Sequence, residues 1–225
     1  MIYLFLTLLL CPLLLFCYPF RIRSPFFAIG KWAMHLSQRI LGLQLEVRGA
    51  AQIEKKTSYV FMANHLSFMD GPLLFMLIPQ TVRVLLKKEA FRVPIIGQTM
   101  RLVGFIPVDR RRFKGGKASI EKAARMMKKE VCSFLIFPEG TRSRDGRIQP
   151  FKRGGFLLAL QSQAPIVPVS IQGTYELMPR GSFFVKKGKI LVTFHPPIPA
   201  KGYHPENLPE LIERVKSEIQ SGLEK

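Results

Sequence analysis

The hydrophobic and polar positions divide the chain into an apolar beginning and a longer part in which apolar runs alternate with amphipathic ones. Residues 1–20 carry no charged side chain. As a helix with a rise of about 1.5 Å per residue they would be about 30 Å long, the thickness of the hydrocarbon core of a bilayer. This pattern predicts a membrane anchor. Pro12 and Pro19 leave open whether it spans the bilayer or lies as a hairpin in one leaflet, and a buried core helix is a further alternative.

The next segment, residues 24–43, has the period of an amphipathic helix. Its apolar side chains follow one another at steps of three and four residues (Phe26, Ile29, Ala33, Leu36 and Ile40). Its polar and basic side chains fall on the opposite side (Lys31, His35, Gln38 and Arg39). Such a helix suits an anionic membrane surface, and it equally suits packing on the domain that follows. Because Arg21, Arg23 and Lys31 follow the apolar segment, the positive-inside rule places the rest of the chain on the cytoplasmic side.

From residue 43 onward, short apolar runs alternate with segments of helical period. The runs predict strands at residues 43–48, 59–63, 82–86, 105–108, 131–137, 166–171 and 189–194. Helices are predicted at residues 67–78, 91–102 (broken by Pro94 and Gly97), 117–129, 154–163 and 208–223. Several strands are almost continuously apolar, which is typical of strands buried on both faces. The pattern predicts an α/β fold with a mixed, largely parallel sheet covered by helices on both faces, preceded by an N-terminal membrane-associated helical segment.

Charge narrows the class of partner. The 225 residues include 34 Lys and Arg against 15 Asp and Glu, a net charge of +19. Such a field attracts nucleic acid, phospholipid headgroups or phosphorylated substrates and acidic carriers. No nucleic-acid recognition motif is present, and the apolar beginning argues against nucleic acid and for anionic membrane lipid. The three cysteines and four histidines lack the spacing of a disulfide framework or a metal site, so no metal is expected.

The first candidate for chemistry is the pair His65 and Asp70. A predicted strand ends just before His65, and a predicted helix begins at Ser67, with Asp70 in its first turn. From there Asp70 can reach an imidazole nitrogen of His65 and orient the ring as a general base. The alternative is that Ser67 and Asp70 form a helix-capping box and His65 has no role.

The second candidate is the turn Phe137-Pro138-Glu139-Gly140-Thr141-Arg142. It follows an apolar strand, and ligands of open α/β sheets bind at the carboxyl ends of strands. Gly140 allows close approach of the backbone to a ligand, and Arg142 offers a planar fork that matches a phosphate or a carboxylate. An ordinary turn with a solvated arginine is the alternative.

A third, basic stretch runs from Lys87 and Lys88 to Arg110–Arg112. These cations suit phosphate or headgroup binding, although a charge run is more often a solvated face. The sequence lacks the Gly-x-Ser-x-Gly elbow of a serine hydrolase, and Gly115-Gly116-Lys117 fails the spacing of a P-loop. Neither a covalent serine mechanism nor nucleotide binding is therefore expected.

Together these residues resemble the glycerolipid acyltransferases, and among them the 1-acyl-glycerol-3-phosphate (lysophosphatidic acid) acyltransferase family. Four blocks occur in family order between residues 64 and 169. They are Asn64-His65-x4-Asp70; Lys88 with Pro94 and Gly97, then Gly104-x-Ile106-x-Val108-Asp109-Arg110; Phe137-Pro138-Glu139-Gly140-Thr141-Arg142; and Val167-Pro168-Val169. One departure is Pro107, which stands where the family usually has an apolar strand residue.

The resemblance implies a membrane anchor and interfacial helix in residues 1–43 and an acyltransferase domain in residues 44–225. It implies that His65 is the general base and Asp70 its orienting partner. It further implies a substrate-binding set of Lys88, Glu139, Gly140, Thr141 and Arg142, in which Arg142 holds the phosphate and Glu139 has no assigned role. No cofactor is implied, since an acyl-CoA or acyl carrier protein thioester serves as co-substrate.

Two alternatives stay open at this point. Within the same class, the acceptor is glycerol-3-phosphate or another lysophospholipid instead of lysophosphatidate. In a different class, the chain is a non-catalytic basic protein that binds anionic membrane surfaces.

Overall fold

A computed structural model describes residues 16–20, 22–93, 95–109, 113–182 and 184–223. The strands are β1 (Leu43–Arg48), β2 (Val60–Ala63), β3 (Val82–Lys87), β4 (Ile106–Val108), β5 (Ser133–Ile136), β6 (Ile166–Gln172) and β7 (Gly188–Phe194). The helices are α1 (Ser24–Ile40), α2 (Asp70–Leu77), α3 (Ile96–Leu102), α4 (Phe113–Lys129), α5 (Gly154–Ser162), α6 (Thr174–Leu177) and α7 (Leu208–Ser221). Single 3-10 turns lie at Ala50–Gln52 and Lys88–Arg92. Most of the residues predicted as anchor, 1–15, lie outside the described ranges.

The strands form one sheet in the order β1-β7-β6-β2-β5-β3-β4. Strands β6, β2, β5, β3 and β4 run parallel to one another, whereas β7 pairs antiparallel with β6 and parallel with β1. The predicted α/β class with a largely parallel sheet is thus confirmed. The carboxyl ends of the five parallel strands meet at one edge of the sheet.

Helices cover both faces, as predicted. Alternate side chains of β2 point to opposite faces, so Val60 and Met62 join one core and Phe61 and Ala63 the other. The first core is completed by apolar side chains from α4, α5 and α7, such as Ala123, Phe156, Leu158, Leu211 and Val215. The second is closed by α2 through Leu73, Leu74 and Met76, with Met34 of α1 packed against it.

Helix α1 packs on the domain, yet it keeps an exposed apolar edge. Phe26 and Ala33 are buried, and the ammonium of Lys31 donates to the carbonyl of Ile78 at 2.6 Å. Next to this buried face, the ridge that carries Trp32 and Ile40, eight residues apart, is exposed, by 57% and 59% respectively. The helix therefore satisfies the packing alternative and still presents apolar surface to its surroundings. Among the described helices, none is both long enough and apolar enough to cross a membrane.

Three predicted helices differ in detail, and one of them, α4, begins at Phe113 instead of residue 117. The helix predicted from Ser67 begins at Asp70. The helix predicted over residues 91–102 is divided into the turn Lys88–Arg92 and α3, and the predicted break at Pro94 lies outside the described residues. The break predicted at Gly97 is wrong, because α3 continues through Gly97. A Cβ there would lie 2.2 Å from the Phe91 carbonyl oxygen, so this glycine serves close packing.

Candidate active site

Both main motifs lie at the carboxyl edge of the parallel strands. Strand β2 ends at Ala63 and β5 ends at Ile136, and the register pairs Met62 with Ile136. The residues that follow each strand therefore leave the sheet side by side. This is the edge at which open α/β sheets bind ligands.

Asn64 anchors the loop that carries His65. Its side chain is fully buried and makes two hydrogen bonds with Ile171 of the neighbouring strand β6. The Asn64 amide donates to the Ile171 carbonyl at 2.9 Å, and the Ile171 N–H donates to the Asn64 Oδ1 at 2.8 Å. The side chain thus acts as one more rung of the β2–β6 ladder and fixes where the chain turns away from the sheet.

His65 and Asp70 form a direct pair. The His65 Nδ1 lies 2.9 Å from the Asp70 Oδ2, and Asp70 is fully buried while the His65 side chain remains 19% exposed. The same Oδ2 accepts the backbone N–H groups of Leu66 at 2.7 Å and Ser67 at 2.8 Å. Because this oxygen accepts every one of these bonds, Nδ1 carries the proton in neutral His65. The other ring nitrogen, Nε2, is then the free base.

Two further contacts fix this geometry. The His65 ring stacks on Phe137 with a centroid distance of 4.0 Å and an interplanar angle of 17°. The backbone carbonyl of His65 accepts the N–H of Ser143 at 2.8 Å, so the loops of both motifs are tied together. The imidazole is consequently held on one side by a carboxylate and on one face by an aromatic ring.

The predicted capping box is only half formed. Asp70 does reach back to the N–H of Ser67, as a capping box requires. The Ser67 hydroxyl, however, accepts the N–H of Met69 at 3.3 Å and donates to the carbonyl of Met178 at 2.7 Å. Asp70 therefore both closes the turn before α2 and holds the ring of His65.

Glu139 bridges the His65 loop and the loop that follows β5. It is 2% exposed; its Oε1 accepts the His65 N–H at 2.7 Å and its Oε2 accepts the Gln149 N–H at 2.9 Å. Burial raises the pKa of Glu139 from its ordinary 4.5 to about 7, which the two backbone hydrogen bonds oppose and the Asp70 carboxylate reinforces. The carboxyl group thereby fixes the backbone at His65, whereas Asp70 holds the ring.

The cations of the site come from the loop after Glu139. Gly140 adopts a positive φ of 70°, which turns the chain back, and a Cβ at this position would lie 3.0 Å from the Nζ of Lys152. The guanidinium of Arg142 lies 5.9 Å above the ring of Phe68. Neither Arg142 nor Lys152 forms an ion pair with an acidic residue in the described ranges. Both cations are consequently available to an anionic ligand.

Lys88 lies apart from this group. Its ammonium is 2.6 Å from the Asp109 carboxylate. Lys88 does not line the cavity that contains His65 and Arg142. The structure brings together the other predicted site residues and leaves Lys88 at this ion pair, so its place in substrate binding stays a prediction. Arg110–Arg112 lie outside the described residues.

A cavity of about 910 Å³ adjoins the His65 ring. Its polar lining includes His65, Thr99, Thr141, Arg142 and Lys152, together with the backbone of Gly140. Most of its remaining wall is apolar and comes from α1, α2, α3 and neighbouring strands (including Phe26, Met34, Phe75, Ile95, Met100, Val103 and Phe105). One cavity thus offers a base, two cations and a long apolar wall, which together suit an amphiphilic ester or alcohol with an anionic headgroup.

Three of these roles were not predicted. Lys152 is ten residues beyond Arg142, and its only sequence signal is its position in the polar loop after the turn. The long-range bonds of Asn64 and the ring contact of Phe137 have no signal in spacing. Asn64 and Phe137 do belong to the predicted motifs, so membership of a motif was the available indication.

An α/β domain with a His–Asp pair at the strand ends and a cationic, apolar cavity is suited to an enzyme that uses a general base on an amphiphilic, anionic substrate. Comparison with known proteins agrees with this class. Residues 44–172 match the family model described as Acyltransferase, so the chain belongs to the acyltransferase family. Among its relatives is the 1-acyl-sn-glycerol-3-phosphate acyltransferase of Limnanthes douglasii, 34% identical over 176 residues, which are 78% of this chain and 62% of that protein. Another is the 1-acyl-sn-glycerol-3-phosphate acyltransferase alpha of Bos taurus, 32% identical over 183 residues, 79% and 62% of the two chains.

A solved structure is similar as well. It is the crystal structure of the 1-acyl-sn-glycerophosphate (LPA) acyltransferase, PlsC, from Thermotoga maritima, with a TM-score of 0.76 and 28% identity, covering 90% of this chain and 80% of that one. The chain spans about three fifths of the length of the plant and bovine relatives. The resemblance inferred from the four blocks is therefore confirmed at the level of the family.

Proposed function

We propose that this protein is a 1-acyl-sn-glycerol-3-phosphate acyltransferase. It transfers a fatty acyl group from an acyl-CoA or acyl carrier protein thioester to the free sn-2 hydroxyl of lysophosphatidate, which gives phosphatidic acid. The observation that carries the proposal is the His65–Asp70 pair, which faces the same cavity as Arg142 and a long apolar wall. The names of the plant and bovine relatives and of the Thermotoga maritima enzyme support this choice of substrate.

His65 acts as the general base. Its Nε2 removes the proton of the sn-2 hydroxyl as the oxygen attacks the thioester carbonyl carbon. Asp70 keeps the proton on Nδ1 and stabilises the positive charge that the ring gains. When the tetrahedral intermediate collapses, the carbon–sulfur bond breaks and the imidazolium returns its proton to the thiolate. The acyl group passes directly to the acceptor, so no serine or cysteine nucleophile takes part.

The phosphate of lysophosphatidate binds to the loop after Glu139. Arg142 provides a planar donor fork, and Gly140 and Thr141 let the backbone approach the ligand. Lys152 joins this phosphate site, because its ammonium lies beside Gly140 and lines the same cavity as Arg142. Lys88 contributes only if it leaves Asp109, so its removal is expected to weaken binding less than that of Arg142.

Glu139 is a positioning residue. By accepting the N–H groups of His65 and Gln149, it holds the base and the phosphate-binding loop at a fixed separation. This assigns Glu139 a function in geometry rather than in contact with the substrate.

The acyl chain lies along the apolar wall, and the protein works at a membrane. Residues 1–43 supply the anchor and the interfacial helix, with the exposed side chains of Trp32 and Ile40 facing lipid. Arg21 and Arg23 place the active site on the cytoplasmic side by the positive-inside rule.

The test is acyl transfer by the purified protein in mixed micelles, with acyl-CoA and acyl carrier protein donors. The acceptors are lysophosphatidate, glycerol-3-phosphate and lysophosphatidylcholine. Phosphatidic acid from lysophosphatidate is the expected product. Transfer to glycerol-3-phosphate alone would move the acceptor within the class, and absence of transfer to every acceptor would leave the non-catalytic, lipid-binding alternative.

A further inference from the structure

Phe184 is the most exposed large apolar side chain of the described residues. It lies between α6 and β7 and is 85% exposed. The backbone around it is held in place: the Ser182 hydroxyl accepts the Phe184 N–H at 3.1 Å and donates to the Phe184 carbonyl at 2.9 Å. The next residue, Val185, packs against the core. Phe184 thus presents an aromatic ring to the surroundings from a hydrogen-bonded backbone.

Cations flank Phe184 in the sequence. Arg180, Lys186 and Lys187 are exposed, and residues 178–189 contain no acidic side chain. None of these three cations forms an ion pair with an acidic side chain that the structure describes. We refer to Arg180, Phe184, Lys186 and Lys187 as the Phe184 surface. An aromatic ring among unpaired basic side chains is the composition that favours the headgroup region of an anionic bilayer.

The Phe184 surface adjoins the exposed apolar edge of α1. Strand β7 begins at Gly188, directly beside Leu43, where β1 begins after α1. A Cβ built on Gly42 would lie 3.4 Å from the Cβ of Lys187. The loop therefore meets the carboxyl end of α1, next to Ile40. This continuity with an apolar helix edge favours a lipid surface over an acidic protein, which would be recognised by the cations alone.

The same loop touches both parts of the candidate active site. The Met178 carbonyl accepts the hydroxyl proton of Ser67, two residues from His65. The Arg180 guanidinium donates to the carbonyl of Arg142 at 3.2 Å. A surface that binds to this loop therefore lies close to the base His65 and to the phosphate-binding Arg142.

We propose that the Phe184 surface is a second membrane contact, separate in sequence from residues 1–43, which docks on anionic lipid. Phe184 enters the interface, and Lys186 and Lys187 bind the headgroup phosphates. Docking at this point brings the polar end of the cavity to the plane in which lysophosphatidate lies. The inference rests on the proposed function for that last step only, since lipid contact is measurable without turnover.

The first experiment uses the full chain and its single tryptophan, Trp32. In a Trp32→Phe background, Phe184→Trp reports on position 184 in vesicles of phosphatidylcholine and phosphatidylglycerol with brominated acyl chains. We expect a blue shift and bromine quenching at position 184 that grow with the phosphatidylglycerol fraction. The matched control is Val47→Trp, which is 39% exposed in the parent chain and lies near the end of β1 that is remote from Gly188. Equal, weak quenching at both positions would overturn the proposal.

The second experiment compares turnover on two forms of the acceptor. Lys186→Gln/Lys187→Gln is assayed with lysophosphatidate in anionic vesicles and with a short-chain, monomeric lysophosphatidate. Since a cation near an anionic surface contributes about fivefold to binding, we expect the KM for vesicle substrate to rise roughly fivefold for each lysine, with the monomeric substrate unaffected.

The opposing result is that the variant loses turnover only when acyl carrier protein is the donor, with vesicle and monomeric acceptor alike. That result would assign the surface to the acidic carrier protein and overturn the proposal. A wild type without transfer in either format would refute the proposed function, while the quenching result would still decide the lipid contact.

Discussion

Asp70→Asn separates the two roles of Asp70, which are to cap the turn before α2 and to support the charge on His65. In the wild type, Oδ2 accepts the ring Nδ1–H of His65 and the backbone N–H groups of Leu66 and Ser67. Oδ1 is buried without a hydrogen-bond partner among the described residues. The carbonyl oxygen of asparagine can replace Oδ2 and keep these bonds. The amide nitrogen then takes the place of Oδ1. The variant therefore keeps the turn and the tautomer, loses the negative charge and buries an amide NH2 without an acceptor.

The expected loss follows from that charge. A carboxylate and an imidazolium about 4 Å apart attract each other by roughly 4 kcal/mol at an effective dielectric constant near 20, which corresponds to about 10³ in rate. A hydrogen bond to a charged partner alone gives a lower bound of about 10- to 100-fold. We therefore expect kcat to fall about 10²- to 10³-fold. Burying an amide N–H without an acceptor costs about 1–3 kcal/mol of stability, or a Tm decrease of roughly 2–10 °C.

The assay is initial-rate phosphatidate formation at saturating acyl-CoA and lysophosphatidate, beside a thermal melt of each variant in the same detergent. If Asp70→Asn kept kcat within fivefold of the wild type, the carboxylate would serve only as a turn cap. The reasoning about His65 would then fail even if the enzyme were a true acyltransferase.

Three other perturbations test separate parts of the site. The fold raises the pKa of Glu139 to about 7, so its contribution to stability is complete below about pH 4.5 and is lost as pH rises through 7. Between those two pH values, the free energy of unfolding of the wild type should fall by on the order of 1–3 kcal/mol relative to that of Glu139→Gln. Gly71 lines the cavity and has no atom within 4 Å of a built Cβ, so Gly71→Leu should disfavour long acyl donors in a chain-length series, whereas Gly116→Leu, on α4 and outside the cavity, should not. Lys152→Ala should raise the KM for lysophosphatidate about 10-fold, which is the contribution of one charged hydrogen bond, and should leave the KM for acyl-CoA unchanged. An equal rise in both KM values would show that Lys152 is not part of the phosphate site.

Much of the fold was predictable because the buried strands consist largely of consecutive apolar residues. Strand β1 occupies the predicted residues 43–48, and the amphipathic period of 117–129 locates α4, which begins four residues earlier. The start of α2 was predicted three residues too early. The reason is local competition: the Asp70 carboxylate binds the N–H groups of the preceding loop and holds it outside the helix.

The candidate site was predictable where its partners are close in sequence and unpredictable where they are not. Only four residues lie between His65 and Asp70, so their pairing follows from the strand–loop–helix pattern. Asn64 and Glu139, by contrast, bond to backbone groups far away in the sequence. Asn64 bonds to Ile171 and Glu139 bonds to His65, and the sheet topology brings these groups together. Sequence spacing does not indicate which backbone groups remain unpaired where strands end, and this is what those two side chains satisfy.

The central claim is that His65 is the base that activates the lysophosphatidate hydroxyl. Its most direct test is the rate of phosphatidate formation by His65→Ala, with His204→Ala, an exposed histidine away from the site, as the matched control. The account predicts that His65→Ala loses about 10²- to 10⁴-fold in kcat with an unchanged melt, and that His204→Ala matches the wild type. A folded His65→Ala protein that keeps its rate within tenfold of the wild type would contradict the claim.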